Sequence, residues 1–255
     1  MIQIKQKKTK DYTVTELDLV CRKLTVLPDL SLYTNLLILS CHSNRLTSLS
    51  NLPPTLQKLQ CDNNLLTSLD HLPPNLQVLW CSYNQLARLG GAESAFGTSL
   101  ENLPPNLQTL YCYNNQLTSL DNLPSTLQIL HCYNNQITSL KNLPLNLQTL
   151  DCANCQLTSL DNLPPTLQLL NCEVNKLTSL DNLPPNLQTL YCRDNKIISL
   201  DILPPTLQEL YCSKNPIYTT CKKIHGFELY VKTIEQYNEI KYIENLEKEC
   251  CPMLK

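Results

Sequence analysis

Residues 107–117 read LQTLYCYNNQL, and residues 127–137, twenty residues further along the chain, read LQILHCYNNQI. We number each such unit from its first leucine, so that leucine, leucine, cysteine and asparagine stand at positions one, four, six and nine. Self-similarity at a fixed period of this length is typical of solenoids, in which each unit packs only against its neighbours. The sequence therefore predicts one elongated array in place of one or two globular domains.

The unit recurs along most of the chain. A looser unit, LDLVCRKLTVLPDL at residues 17–30, precedes the regular ones. We therefore divide the chain into an N-terminal arm (1–13), a solenoid of about ten repeats (14–217) and a C-terminal cap (218–255). The nine regular units open at Leu36, Leu56, Leu76, Leu107, Leu127, Leu147, Leu167, Leu187 and Leu207.

Each part of the unit has a predicted structural role. The LxxLxC segment is predicted to be a strand that pairs with the strands of neighbouring units, with its leucines and cysteine facing inward. The asparagine turns the chain and satisfies backbone groups that would otherwise be buried without partners. The return segment contains one or two prolines and cannot be a regular helix. The predicted fold is an α+β solenoid, mostly β and irregular: a curved leucine-rich repeat array with parallel strands on the concave face, a Pro-rich extended convex side and a C-terminal helical cap.

This pattern resembles the leucine-rich repeat, LxxLxLxxNxL, with cysteine in its third apolar position. The LPP return and the NNQLTSL segment are similar to two groups of proteins. One is the leucine-rich repeat effectors that bacteria inject into host cells, and the other is a set of leucine-rich repeat proteins of giant DNA viruses of amoebae. The viral group, with cysteine in the strand as in this chain, is the nearer one. The resemblance implies a module that binds a protein partner, and that partner would belong to a host cell.

Some of the bacterial effectors continue into a ubiquitin ligase domain with a catalytic cysteine. After Ile217 only 38 residues follow here, and the Cys250-Cys251 pair lacks the Cys-x-Asp pattern of that active site. No phosphate loop, nucleophile elbow or paired-carboxylate signature occurs elsewhere in the chain. The sequence therefore predicts that the protein is not an enzyme and has no catalytic residues and no cofactor.

Cysteine is frequent, with 14 residues in the chain. On parallel strands about 5 Å apart, cysteines at position six would have parallel Cα–Cβ vectors, which is poor geometry for a disulfide. We predict a ladder of buried thiols in a reducing cytoplasm. Cys152 and Cys155 form a lone CxxC, which we interpret as a ladder cysteine and a substitute for asparagine, without a metal. The predicted ladder is Cys41, Cys61, Cys81, Cys112, Cys132, Cys152, Cys172, Cys192 and Cys212.

The charge pattern argues against two classes of partner. The net charge of -2 offers no basic excess for nucleic acid or for an anionic membrane. The first residues, MIQIKQKKTK, have lysines but no apolar run behind them, so we expect neither a secretory signal nor a membrane anchor. The lysines themselves fit either a docking arm or a solvated, frayed terminus.

Two segments depart from the repeat. Residues 87–97, ARLGGAESAFG, interrupt the period next to the aromatic units, and we interpret them as a surface insertion, with a contact or switch role as the alternative. Residues 233–251 place apolar side chains at helical spacing, which favours an amphipathic helix covering the open end of the solenoid. A partner-binding helix is the other interpretation.

Binding specificity is expected where the units differ, because the repeated positions build the scaffold. Side chains at strand positions three, five and seven are predicted to project from the concave face. Aromatic side chains concentrate there in three successive units and include the one tryptophan of the chain. Such residues are favoured interface anchors, although they also suit an exposed sheet that binds nothing. The predicted partner-binding residues are Trp80, Tyr111, Tyr113, His131, Tyr133, Asp151, Tyr191, Arg193 and Tyr211.

Three functions remain open from the sequence. A protein-binding module predicts a monomer, whereas a structural component of a particle predicts self-association. The third is the substrate-recognition part of a ubiquitin-ligase-type effector, whose chemistry this chain does not show. We favour the binding module.

Overall fold

The computed structural model of the chain describes residues 12–87, 103–200 and 203–217. Ten short strands form one sheet, and each pairs in parallel with the next strand along the chain. In the regular units the strand covers positions three to five. The strands are β1 (Glu16–Asp18), β2 (Ile38–Ser40), β3 (Lys58–Gln60), β4 (Val78–Trp80), β5 (Thr109–Tyr111), β6 (Ile129–His131), β7 (Thr149–Asp151), β8 (Leu169–Asn171), β9 (Thr189–Tyr191) and β10 (Glu209–Tyr211).

The predicted parallel solenoid is confirmed, and its register is uniform. Equivalent positions of neighbouring units lie side by side, as Leu110 does with Leu130. The register also continues across the interrupted unit, because Trp80 of β4 pairs with Tyr111 of β5. Most of the predicted insertion, residues 88–97, lies outside the described residues. The extra residues therefore leave the stacking of the flanking units unchanged.

The α part of the predicted fold class rests on the cap. Within the described ranges the only helical residues are 216–217, so this part of the molecule is a β-solenoid. The cap at 218–255 and the arm up to residue 11 lie outside the described residues, and both stay predictions, as does the curvature of the rod. The return segments contain no helix where they are described. A tight turn closes each PxxL segment, as the Leu147 amide donates to the Pro144 carbonyl at 3.1 Å.

The buried leucines and cysteines form one continuous core. Leu127, Leu130 and Cys132 of one unit have no solvent-exposed surface, and the same positions are buried in each neighbouring regular unit. Burying a leucine side chain contributes about 2 kcal/mol, so the stability of the array grows with the number of stacked units.

The predicted cysteine ladder is confirmed as buried, and its thiols are free. Some of the thiols donate a hydrogen bond to the next strand, as Cys152 Sγ does to the Asn171 carbonyl at 3.3 Å. Burial raises the pKa of every ladder thiol, because a thiolate would lose its hydration there. Cys155 occupies the asparagine position, where its thiol lies 3.7 Å from the Cys132 carbonyl. This placement agrees with the interpretation of the CxxC as two structural residues.

Within the described residues, every regular unit enters the left-handed region at position eight and six of the units enter it again at position sixteen, in each case without glycine. Asparagine tolerates this conformation best among the other residues, and it stands at position eight in Asn114, Asn134 and Asn154. Their amides also bond to one another, with Asn154 Nδ2 donating to Asn134 Oδ1. The row ends at Val174, a β-branched residue with φ of 54°. This position therefore stores backbone strain.

Replacing Val174 with asparagine is expected to stabilise the protein by about 1 kcal/mol, because the left-handed conformation is far less costly for asparagine. Val174 is 46% exposed, so little buried apolar surface is lost. Urea unfolding of V174N against the parent protein measures the gain. The control is V26N, since Val26 is also exposed but does not have a positive φ. Equal effects of the two substitutions would contradict the strain at Val174.

Candidate functional site

The side chains at positions three, five and seven lie on the side of the sheet opposite the core. We call this surface the strand face. Positions four and six of each regular unit point inward to the leucine and cysteine rows, so the alternation of the extended chain sends positions five and seven outward. All nine predicted partner-binding residues occupy these two outward positions.

Three rings at position five form a continuous stack, which we call the N-terminal stack. The Trp80 and Tyr111 rings are parallel, with centroids 5.6 Å apart, and the Tyr111 and His131 rings follow at 4.8 Å. Neighbouring strands are about 4.8 Å apart, so equivalent rings in register stack face to face. Each ring is half-buried by its neighbours. The stack therefore supports itself and is more rigid than isolated surface aromatics.

A second pair of rings lies beside the N-terminal stack, at position seven. Tyr113 and Tyr133 are stacked with centroids 4.2 Å apart, and Tyr83 packs edge-on against Tyr113 at 5.5 Å. Burial and the neighbouring Tyr113 raise the pKa of Tyr133 above its ordinary value. The five residues predicted as one aromatic patch are thus in contact as two parallel rows. Tyr83, which stands at position eight, was not among the predicted residues.

The remaining aromatic residues form a separate group. Tyr191 and Tyr211 are stacked with centroids 4.5 Å apart, and we call this pair the C-terminal stack. Between the two stacks, position five is occupied by the shorter side chains of Asp151 and Asn171. The predicted site is therefore divided into two aromatic walls with a polar interval between them.

That interval is a concavity of about 480 Å³. We call it the polar gap. His131 belongs to one wall, with its Nδ1 3.7 Å from Asp151 Oδ2, and the C-terminal stack forms the other. Glu173 and Arg193 line it from position seven. Burial raises the pKa of the Glu173 carboxyl, and the attraction of Arg193 only partly offsets this. The gap thus contains charged groups whose hydration is reduced.

Asp151, Arg193 and the C-terminal stack were predicted as site residues, and all of them line the polar gap. Asn171 and Glu173 also line it but were missed. The signal was present in the sequence, because both residues stand at outward positions between Asp151 and Arg193. The prediction gave most weight to aromatic side chains, so among the carboxylate, guanidinium and amide side chains of the gap it included only Asp151 and Arg193.

The described ranges contain neither a metal-binding cluster nor a membrane-spanning helix. No group of three or more His, Cys, Asp or Glu side chains there has the geometry to hold a metal ion. Among the same residues, no helix is long and apolar enough to cross a membrane.

Comparison with known proteins identifies the repeat. The protein family described as "Leucine Rich repeats (2 copies)" matches residues 105–145. The family described as "Leucine Rich Repeat" matches residues 146–170 and 186–210. No curated protein sequence matches the chain.

Two solved structures are similar in both sequence and shape. YopM from Yersinia enterocolitica WA-314 is 36% identical, with a TM-score of 0.63, over 79% of this chain and 47% of YopM. The functional domain of InlJ from Listeria monocytogenes, which includes a cysteine ladder, is 34% identical, with a TM-score of 0.65. That match covers 80% of this chain and 45% of the InlJ chain, so this chain spans less than half the length of each. The resemblance to giant DNA virus proteins stays a prediction.

Proposed function

Because this chain is a leucine-rich repeat protein that resembles bacterial effectors, we propose that it is a non-catalytic module that binds a protein partner through its strand face. The observation that supports this proposal is the N-terminal stack with the Tyr113 and Tyr133 pair beside it. These rings are held in place before binding, so a partner covers a large apolar area with little loss of side-chain entropy.

The proposed partner is a protein of a host cell, and the proposed compartment is the cytoplasm. Eleven cysteines in the described residues are free, and ten of them are buried, which suits a reducing compartment. The two similar bacterial proteins are longer than this chain, so their own partners are not transferred to it. We further propose that the protein acts as a monomer, whereas a structural role in a particle would require self-association.

The test compares binding by two double variants of the full chain. Trp80→Ala with Tyr133→Ala removes one ring from each aromatic row. Leu145→Ala with Ile198→Ala removes two exposed aliphatic side chains on the return segments. Aromatic interface anchors contribute about 2 kcal/mol each. The first variant is therefore expected to bind the partner protein at least roughly 100-fold more weakly than the parent chain does. The second variant is expected to bind as the parent does.

Stability must be measured alongside binding, because the rings also contact one another. Each lost stacking contact is expected to cost about 1 kcal/mol of unfolding free energy, which leaves the fold populated. Loss of binding in the return-segment variant, with binding kept in the aromatic variant, would place the interface elsewhere. Concentration-dependent self-association of the parent chain in sedimentation would instead favour the structural role.

A further inference from the structure

We propose that the polar gap is a receptor for an arginine side chain of the partner protein. This inference rests on the proposed function and names the chemistry that the strand face would recognise. Three independent features of the gap support it: its shape, its incompletely compensated carboxylates and its open aromatic wall.

The shape of the gap follows from the repeat. His131 and Tyr191 stand three strands apart, which is about 14 Å at the usual spacing of parallel strands. The floor between them is made of Asp151 and Asn171, which do not reach as far from the sheet as the rings do. The gap is therefore wide enough for a planar group to lie against one wall while its aliphatic stem leaves toward the partner.

The charges in the gap favour a cation. The Asp151 side chain is only 17% exposed, and its one ion-pair partner among the described residues is His131, at 3.7 Å. The Glu173 carboxylate accepts no hydrogen bond and forms no ion pair within the described part of the chain. Burial raises the pKa of Glu173 despite the attraction of Arg193, so the ionised carboxylate is poorly compensated. Arg193 itself is exposed at the rim. A cationic group entering the gap would supply the missing compensation.

The aromatic wall favours arginine over lysine. Tyr211 covers one face of the Tyr191 ring, and on the other side lies the shorter Asn171, which leaves that face directed into the gap. A guanidinium group is planar, stacks on aromatic faces and donates two parallel hydrogen bonds to a carboxylate. An ammonium group offers neither the plane nor the paired donors. One arginine side chain therefore satisfies both the open ring face and the carboxylates.

The direct test uses small probes on the full chain, with NMR of the ring protons of His131, Tyr191 and Tyr211. N-acetyl-arginine methylamide is expected to shift these signals saturably at millimolar concentration. The neutral isostere N-acetyl-citrulline methylamide should bind at least tenfold more weakly, and the lysine equivalent should also bind more weakly. An acidic probe, N-acetyl-glutamate methylamide, should produce no saturable shift, whereas preferential binding of that probe would assign the gap to Arg193 and overturn the proposal.

Variants separate recognition from folding. D151N with E173Q is expected to weaken arginine binding at least tenfold, while D194N should leave it unchanged, because Asp194 pairs with Lys214 outside the gap. Glu173 has a raised pKa, so its ionisation destabilises the fold as the pH rises through that pKa. E173Q alone should therefore melt at or above the temperature of the parent at pH 7. Loss of binding together with an undiminished melting temperature supports a recognition role.

The inference and the proposed function can fail separately. Equal binding of the citrulline and arginine probes, or unchanged binding in the D151N and E173Q variant, overturns the arginine receptor. If the Trp80 and Tyr133 variant still loses its partner in that case, the proposed function stands. The arginine probe could also bind as expected while neither the Trp80 and Tyr133 variant nor E173Q alters binding of the partner protein. The gap would then be no part of a partner interface, and the inference would fall together with the proposed function.

Discussion

Raising the pH from 8 to 10 is expected to unfold this protein cooperatively. Burial raises the pKa of the ladder thiols from 9.0 to about 12 for Cys41 and to about 11 for Cys212, and those between them are also raised. In the unfolded chain the same thiols ionise near 9.0. Stability contributed by a raised pKa is complete below the unfolded pKa and is lost as the pH rises toward the folded one. The window of loss for this ladder therefore begins at about pH 9.

The expected size of this effect is large because nine thiols act together. At pH 10 a thiol that stays protonated in the fold, and has a pKa near 9 when unfolded, destabilises the fold by about 1.4 kcal/mol. Nine such thiols amount to roughly 13 kcal/mol, which is comparable with the whole stability of a typical domain. The transition should also be steep, since unfolding would release several protons at once.

Circular dichroism in a reducing buffer between pH 7 and pH 11 measures this transition. Substituting Cys112 and Cys132 with alanine should lower the number of protons released, seen as a shallower dependence of unfolding free energy on pH. The slope is the right readout, because the cavities left by these substitutions also change stability at every pH. Substituting the exposed Cys21 should not alter the slope. A native spectrum that persists to pH 11 would contradict the buried-thiol account.

The fold was predictable because its determinants repeat. Leu127, Cys132 and Asn135 each have equivalents at the same position in neighbouring units, and their shared burial follows from stacking. The side-chain arrangement on the strand face was less predictable. A list of outward positions places Tyr111 beside His131, but it does not say that the rings cover each other's faces, which depends on rotamers chosen jointly. Glu173 was missed for the same reason, since its role depends on the gap left by Asn171.

The strain at Val174 was likewise invisible in the pattern. Position eight accepts asparagine, serine, tyrosine, aspartate and lysine as well as valine, so the sequence alone shows a variable position. Only the backbone reveals that all of these residues have a positive φ. The requirement belongs to the turn, and the residues differ in how much it costs them.

Replacing Asn135 with alanine is expected to reduce the unfolding free energy by about 3 to 5 kcal/mol, because several buried backbone groups lose their partners together. The side chain is only 7% exposed. Its Oδ1 accepts from the Leu117 amide at 2.9 Å, and its Nδ2 donates to the Cys112 and Cys132 carbonyls at 3.1 and 2.8 Å. Alanine offers neither a donor nor an acceptor, and the packed turn excludes the bulk water that would replace them.

Asn146→Ala is the matched control, since that amide makes one exposed hydrogen bond, to the Ser125 carbonyl at 2.9 Å. Urea unfolding should show a loss below about 1 kcal/mol for Asn146→Ala. The chain also contains a natural weak point, because Cys155 fills the equivalent position with a thiol, whose contact with the Cys132 carbonyl is long at 3.7 Å. Cys155→Asn is therefore expected to add about 1 kcal/mol or more.

The position of Asn135 in the array adds a second readout. Each unit contacts only its neighbours, so a defect in the middle weakens the coupling between the two halves of the solenoid. Next to the weak position at Cys155, Asn135→Ala is expected to broaden the urea transition or divide it into two steps, with a lower apparent slope. Cys155→Asn introduced into the same variant should restore part of the cooperativity. A single sharp transition in Asn135→Ala, with a loss no greater than that of Asn146→Ala, would show that the asparagine row does not couple the units.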